Sequence, residues 1–309
     1  MTHDTIDSLK RSAAIPSLPQ VVTRFLEVIR DPAFELDEVA QVLAADPGMS
    51  ADILRLANSA LFGVTRRVSS LNQAIGLLGL RRVRSLVLGR YLIDSLGTGD
   101  SAEIDPNYFW RRSLATGVLA AKFVDARLPA VRDEAFMGGL LCDCGILILA
   151  DSIDSYGPVA RKYAPHEQVD FCELETAVVG VTHSKVSADV MDHWQLPELI
   201  SESIRYHHHD NVPDEVPSDM ATVAHAINAA GRIAKLLCET AEPQDVAATC
   251  REAMQLIELD VEILAQCLGE VEQEILELAD VLHVDIIPSK VYSLLAEEIR
   301  KDVSAPAAV

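Results

Sequence analysis

Apolar residues recur along this chain at three- and four-residue steps, the spacing of one face of an α-helix. Val21, Val22, Phe25, Leu26 and Ile29 form the first such stripe. It ends at Asp31-Pro32, because proline disfavours helical geometry in the residue before it. Leu36 to Leu43 predicts a second helix, closed by Asp46-Pro47-Gly48. A third carries Ile53, Leu54 and Ala57 and ends near Gly63. A fourth and a fifth run on from Ser70 with a join at Gly79, the fifth showing Leu80, Val83, Val87 and Tyr91 on one face. Leu96 to Ser101 reads as a linker, and Asp105-Pro106 opens the next helix in the favoured order of cap then proline.

Beyond the linker, Trp110, Leu114, Val118 and Ala121 form a buried stripe. Further helices are predicted over Glu134–Ala150, Glu173–Val179, Ser184–Trp194, Glu198–Tyr206 and Met220–Cys238, with an acidic, proline-containing link at Asp210–Ser218. A long helix starts from Asp260 as its cap. Val261, Leu264, Leu268, Val271, Ile275, Leu278 and Leu282 give it a seam of about three heptads. An ordinary helix packed on its own domain is the preferred reading, and a homodimeric coiled coil is the rival. No strand-like alternation of useful length breaks the pattern. The fold class is all-α.

Charge changes the picture of partners. Lys and Arg number 26 against 47 Asp and Glu, a formal net charge of −21. That field opposes nucleic acid. Arg66, Arg67, Arg81, Arg82 and Arg84 form the one basic concentration. It is either a solvated face balancing the acidic C-terminal helices or, at Arg81, Arg82 and Arg84, a docking surface for an acidic partner or a nucleotide phosphate. The six cysteines include no Cys-x-x-Cys pair and suggest free thiols in a reducing compartment. Met1-Thr2-His3-Asp4 lacks the look of a signal peptide, and Gly138–Ala150 is too short an apolar run to span a bilayer. A cytoplasmic protein with no membrane contact is expected.

Several segments carry a family resemblance. Leu54 to Gly63 (LRLANSALFG) and Ser70 to Val83 (SLNQAIGLLGLRRV) resemble the signature of the HD-related output domain, HDOD. Phe109-Trp110-Arg111-Arg112-Ser113, Gly138 to Gly145 and Gly180-Val181-Thr182-His183 are similar to that family's second lobe. So are Trp194 to Pro197 and Ile204 to His208. The match runs from about Ile15 to Asp210. It implies an HD-like helical bundle over 12–212, divided into a helical lobe at 12–97 and an HD-like lobe at 104–212. A C-terminal helical extension follows at 218–309.

The wider HD superfamily, as the resemblance implies, consists of metal-dependent phosphohydrolases. They gather a His, an adjacent His-Asp pair and a further Asp around a divalent ion that activates water. This chain departs from that set. Arg112 stands at the first His position, Cys142 replaces the His of the pair and leaves Asp143 alone, Asn228 takes the place of the final Asp, and Ile146 stands where related phosphodiesterases carry a Lys. No catalytic residue, bound metal or cofactor is therefore expected. Cys142 and Cys144, two apart on one predicted helix, would point away from each other and could not share an ion. For His183, His207 and His208 two readings stay open: residual metal or phosphate contacts, or structural histidines near helix ends.

The expectation is a non-catalytic signal-transduction module acting through protein partners or through a small ligand in a vestigial pocket of Arg112, Cys142, Asp143, His183, His207, His208 and Asn228. The two lobes would shift about that pocket. The alternative is a phosphohydrolase with a rearranged metal set of Asp143, His183, His207 and His208.

Overall fold

Helix α1 spans Gln20–Arg30, α2 Leu36–Ala44 and α3 Pro47–Ala57. The dipeptide that ends α2 also starts α3: Pro47 opens it, and the Asp46 carboxylate accepts the Met49 N–H at 3.0 Å. A 3₁₀ turn at Ala60–Phe62 leads to α4, Leu71–Leu78, and α5, Leu80–Leu96, which meet at Gly79 as expected. These are features of a computed structural model that describes residues 17–96, 103–125, 127–165, 167, 169–239 and 243–285. Of the linker expected at Leu96–Ser101, Leu96 ends α5 and positions 97–101 lie outside the described residues, as do the N-terminal start and positions 286–309.

Helix α6, Pro106–Asp125, is the centre of the molecule. Every residue from Ser113 to Ala121 is buried, so it has no solvent face along that stretch. Each fully buried Leu114, Val118 and Leu119 contributes about 2 kcal/mol over its exposed state. Helix α7, Arg132–Leu141, crosses α6 with the two backbones in contact. A Cβ added at Gly139 would stand 2.8 Å from the Gly117 Cα, so the glycines set this crossing.

The single helix expected over Glu134–Ala150 is two. Helix α7 ends at Leu141, Cys142 and Asp143 form a turn, and α8 runs Cys144–Ser152. Apolar residues continue straight through the break, so periodicity alone hides it. After a short turn at Gly157–Ala160 come α9 Phe171–Val179, α10 His183–His193 and α11 Glu198–Arg205. The apolar stretch Pro129–Ser152 passes a length-and-composition test for a membrane span, yet 78% of that window is buried inside the fold.

Helices α12, Ser218–Cys238, α13, Pro243–Ile257, and α14, Val261–Leu282, complete the order. Helix α13 was not anticipated by the sequence reading. The extension is not an appendage: α12 packs along α6, and α14 packs on α3, α5 and α6. Leu264, Leu268, Val271, Ile275, Leu278 and Leu282 of the heptad seam are buried in the chain's own core. The acidic face of α14 finds its counter-charges on the same chain. Lys122 reaches Glu270 at 3.2 Å and Glu274 at 3.4 Å, and Arg132 reaches Glu274 at 2.9 Å.

The basic concentration on α5 is spent in the same way. Arg84 pairs with Glu134 at 3.1 Å, Arg81 with Glu134 at 3.7 Å, and Arg82 with Asp133 at 3.5 Å. These three arginines tie α5 to α7. They do not stand as a free patch, and they face α7 instead of the acidic C-terminal helices.

Candidate functional site

The turn between α7 and α8 aims Asp143 inward, where it is 7% exposed. Two close contacts hold it against the start of α10. The Gly145 N–H donates to Ser187 Oγ at 2.8 Å, and Ser187 Oγ donates to the Cys142 carbonyl at 2.7 Å. A Cβ at Gly145 would lie 2.3 Å from the His183 carbonyl oxygen, so only glycine lets the helices approach this closely.

Thr182 caps α10 and places His183 at its first position, 1% exposed. Glu175, fully buried on α9, accepts both the His183 N–H and, through the same Oε2, the Nδ1–H of its ring, each at 2.8 Å. Its other oxygen accepts from the Tyr156 hydroxyl. The Glu175 carboxylate thus fixes the ring and turns Nε2 towards Asp143, 3.4 Å from Oδ1. The turn that follows α11 delivers His207, whose Nδ1–H donates to the Ile204 carbonyl at 2.6 Å. His207 Nε2 is buried, 3.6 Å from Asp143 Oδ1, with no hydrogen-bond partner. His208 Nε2 lies 2.9 Å from His183 Nε2.

Asp143, His183, His207 and His208 therefore converge, each offering one ligand atom within 4.8 Å of the others. Around one transition-metal ion with bonds of about 2.0–2.1 Å, tetrahedral donors stand roughly 3.4 Å apart. The separations of 2.9, 3.4 and 3.6 Å fit that spacing. Two of the imidazoles have Nδ1 held by an acceptor, the arrangement that orients metal-binding histidines. One ion fits these residues. The pair of thiols does not take part: Cys142 lines the cavity while Cys144 does not.

A second, neighbouring ion does not fit. Arg112, on α6, stacks its guanidinium over the Tyr163 ring at 4.7 Å, and Tyr163 donates to Asp143 Oδ2 at 2.7 Å. A permanent cation thus occupies the space on that side of Asp143. Burial pushes the Cys142 thiol well above its ordinary range, with Asp143 adding to the shift. Asn228 is turned to Asp210 at 3.3 Å and to Arg232 at 2.8 Å.

The electrostatics follow from these contacts. Burial alone would raise the Asp143 carboxyl, but the His183 and His207 rings facing it, with Arg112 nearby, hold it well below the usual carboxylate range. Burial works against a charge on His183 too, yet Glu175 and Asp143 raise it to about 9.

These groups line one cavity of about 380 Å³, inside the HD-like lobe and against α12. All seven residues expected in the vestigial pocket line it. It does not lie between the two lobes, so the expected shift of lobes about it has no geometric basis. The sequence reading missed Tyr163, Glu175, Arg232 and Lys235. Glu175 lies eight residues before His183, a separation across two helices that no motif encodes.

An all-helical HD-like lobe with a carboxylate-and-imidazole pocket defines the class. A family model, described as the HDOD domain, matches residues 15–210, and the chain belongs to that family. A protein of Treponema pallidum (strain Nichols), described as uncharacterized, is 25% identical over 217 residues, covering 69% of this chain and 41% of that protein. The chain thus matches less than half of that relative's length. Among solved structures, one from Shewanella amazonensis SB2B, named as a proposed phosphohydrolase, aligns with a TM-score of 0.71 at 21% identity, over 89% of this chain and 98% of its own. An HDOD domain protein with unknown function from Geobacter sulfurreducens gives 0.64 at 23%, over 97% and 99%. One from Marinobacter aquaeolei VT8, named as a proposed signal transduction protein, gives 0.60 at 19%, over 97% of this chain and 67% of its own. At these identities the likeness is one of fold.

Proposed function

We propose that this chain is a non-catalytic signalling module of the cytoplasm that binds a small ligand in the Asp143 cavity and relays its occupancy to a protein partner. The observation that carries this reading is Arg112. It sits beside Asp143 where the HD superfamily gathers its first metal ligand, and its stacking on Tyr163 leaves no place there for an ion. The Asp143 carboxylate, which would otherwise help position an attacking water, already accepts from Tyr163 and faces His183 and His207. The name carried by the Marinobacter structure supports a signalling role at the level of fold. Nucleic acid and membrane are not the partners proposed, and the net charge of −21 supports the first exclusion.

The test is turnover. Phosphate monoesters, diesters and cyclic dinucleotides are incubated with full-length protein and Mn²⁺, Fe²⁺ or Zn²⁺. The expected result is no release above that of Asp143→Ala. Hydrolysis that disappears in Asp143→Ala overturns the reading.

The convergence of His183, His207 and His208 on Asp143 supports a second reading, in which the pocket keeps one transition-metal ion. Protein purified without chelators would then hold about one equivalent by plasma mass spectrometry, as one four-ligand site requires. His207→Asn would lose it. Metal near zero in the unmodified protein removes this reading and leaves the first standing.

A further inference from the structure

Arg112 is the strongest anomaly in the molecule. The chain carries 47 acidic residues, and several half-buried arginines reach them: Arg84 reaches Glu134, Arg90 Asp52, Arg205 Asp189 and Arg232 Asp210, whereas Arg112 and its neighbour Arg111 each keep a buried Nε without a partner. Arg112 reaches none. Among the described residues its side chain makes no hydrogen bond and no ion pair, and its Nε is buried without a partner. Its one specific contact is the face of Tyr163. A guanidinium cannot shed its proton to escape this situation. A sunken charge is retained when something pairs with it; the Asp143 carboxylate acts on Arg112 from nearby but makes no ion pair with it.

What Arg112 faces is the cavity of about 380 Å³, large enough for a small metabolite. A second unpartnered donor or acceptor, His207 Nε2, lines the same space. Lys235, on α12, adds an ammonium whose described contact is the Glu167 carbonyl. Three polar groups thus open on one volume, from α6, from the turn after α11 and from α12. Carboxylate and phosphate can each pair with a guanidinium two bonds at a time, but a phosphate keeps a further oxygen, in another direction, for the other polar groups of the cavity.

We propose that the cavity binds a phosphate group of a small metabolite, with the Arg112 guanidinium as its anchor and Lys235 as a supporting charge. This deepens the ligand-binding reading above and rests on it. The charge that holds the phosphate is thereby part of the chain and independent of any metal.

The experiment uses full-length protein freed of metal with a chelator, dialysed into phosphate-free buffer and titrated calorimetrically with inorganic phosphate. One phosphate per chain is expected. Arg112→Gln should weaken it about tenfold or more, the loss typical of a charged hydrogen-bonding partner. Arg112→Lys should recover part of it, and Arg84→Gln, outside the cavity, should leave it unchanged. Equal affinity in Arg112→Gln and the unmodified protein overturns the proposal, and so does acetate binding as tightly as phosphate. If Arg112→Gln fails to fold, a crystal of the unmodified protein soaked in phosphate decides. Phosphate on Arg112 supports the assignment, and phosphate placed elsewhere or absent overturns it. Ester turnover on the same preparation separates the two readings. Turnover defeats the non-catalytic reading while leaving the anchor intact, and lost Arg112 dependence defeats the anchor alone.

Discussion

Two buried aspartates, Asp52 in the N-terminal lobe and Asp143 in the HD-like lobe, solve the same problem in opposite ways. Asp52 is 3% exposed and ringed by two arginines and an imidazole: Arg90 Nε at 3.4 Å, Arg55 at 3.5 Å and His283 Nε2 at 3.4 Å. It fastens α3 to α5 and to the end of α14, and its partners belong wholly to the protein. Asp143 is almost as buried, but its surroundings contain an imidazole nitrogen with no hydrogen-bond partner and an arginine that makes no described ion pair. A polar cluster closed on itself is a rivet. One with unspent donors beside a cavity is a receptor.

Breaking the rivet should have the largest effect. Arg90→Met removes a principal counter-charge of Asp52 and should cost about 3 kcal/mol in urea unfolding, the range for one half of a buried pair. A loss no greater than that of an exposed pair such as Arg24–Glu38 would show that Asp52 is solvated. Gly145→Ala comes next, because the added Cβ meets backbone at 2.3 Å. Overpacking of this kind costs about 2 kcal/mol. It should part Asp143 from His183 while leaving the Asp52 cluster whole, which an NMR comparison of the two regions would reveal.

Arg112→Met sharpens the contrast at smaller scale. With no protein partner left stranded, the ligand-free variant should melt within about 1 kcal/mol of the unmodified protein. A penalty as large as that of Arg90→Met would mean that Arg112 is a rivet too. The smallest effect is expected at the thiols. Burial pushes Cys142 well above its ordinary range and Cys144 up to about 12. Neither should be alkylated by iodoacetamide at about pH 8 in folded protein, where reactivity follows the thiolate fraction. Mass-mapped labelling at Cys142 would reopen a nucleophilic role.

The sequence was readable where one residue's neighbours in the chain decide the outcome. Stripes such as Val22, Phe25 and Leu26 fell on α1, and Asp105-Pro106 opened α6 as capping chemistry requires. It was silent where continuity of apolar residues masked a break, as at Cys142-Asp143, and where polar composition masked a helix, as in α13. The residue types of the pocket were legible from the family pattern, and its seven expected members do share one cavity. Their relations were not. Tyr163 bridging Arg112 to Asp143, or Glu175 steering His183, are contacts between helices, and no local spacing encodes them. Pairing was equally hidden: the arginines of α5 looked like a free patch because Asp133 and Glu134 lie about fifty positions away.

Helix α14 is the last described helix to leave the ribosome, yet it rests on α3 and α5, made some two hundred residues earlier. Leu282 lies against Gly89, and the Glu277 carboxylate accepts the Leu61 N–H at 2.9 Å. Synthesis therefore holds the N-terminal lobe with an apolar face uncovered for most of the time the chain is being made. A nascent chain halted near residue 212 would carry the whole matched family segment and still lack the cover for α6. Such fragments are expected to be clients of chaperones, and the boundary of the family is not the boundary of the folding unit.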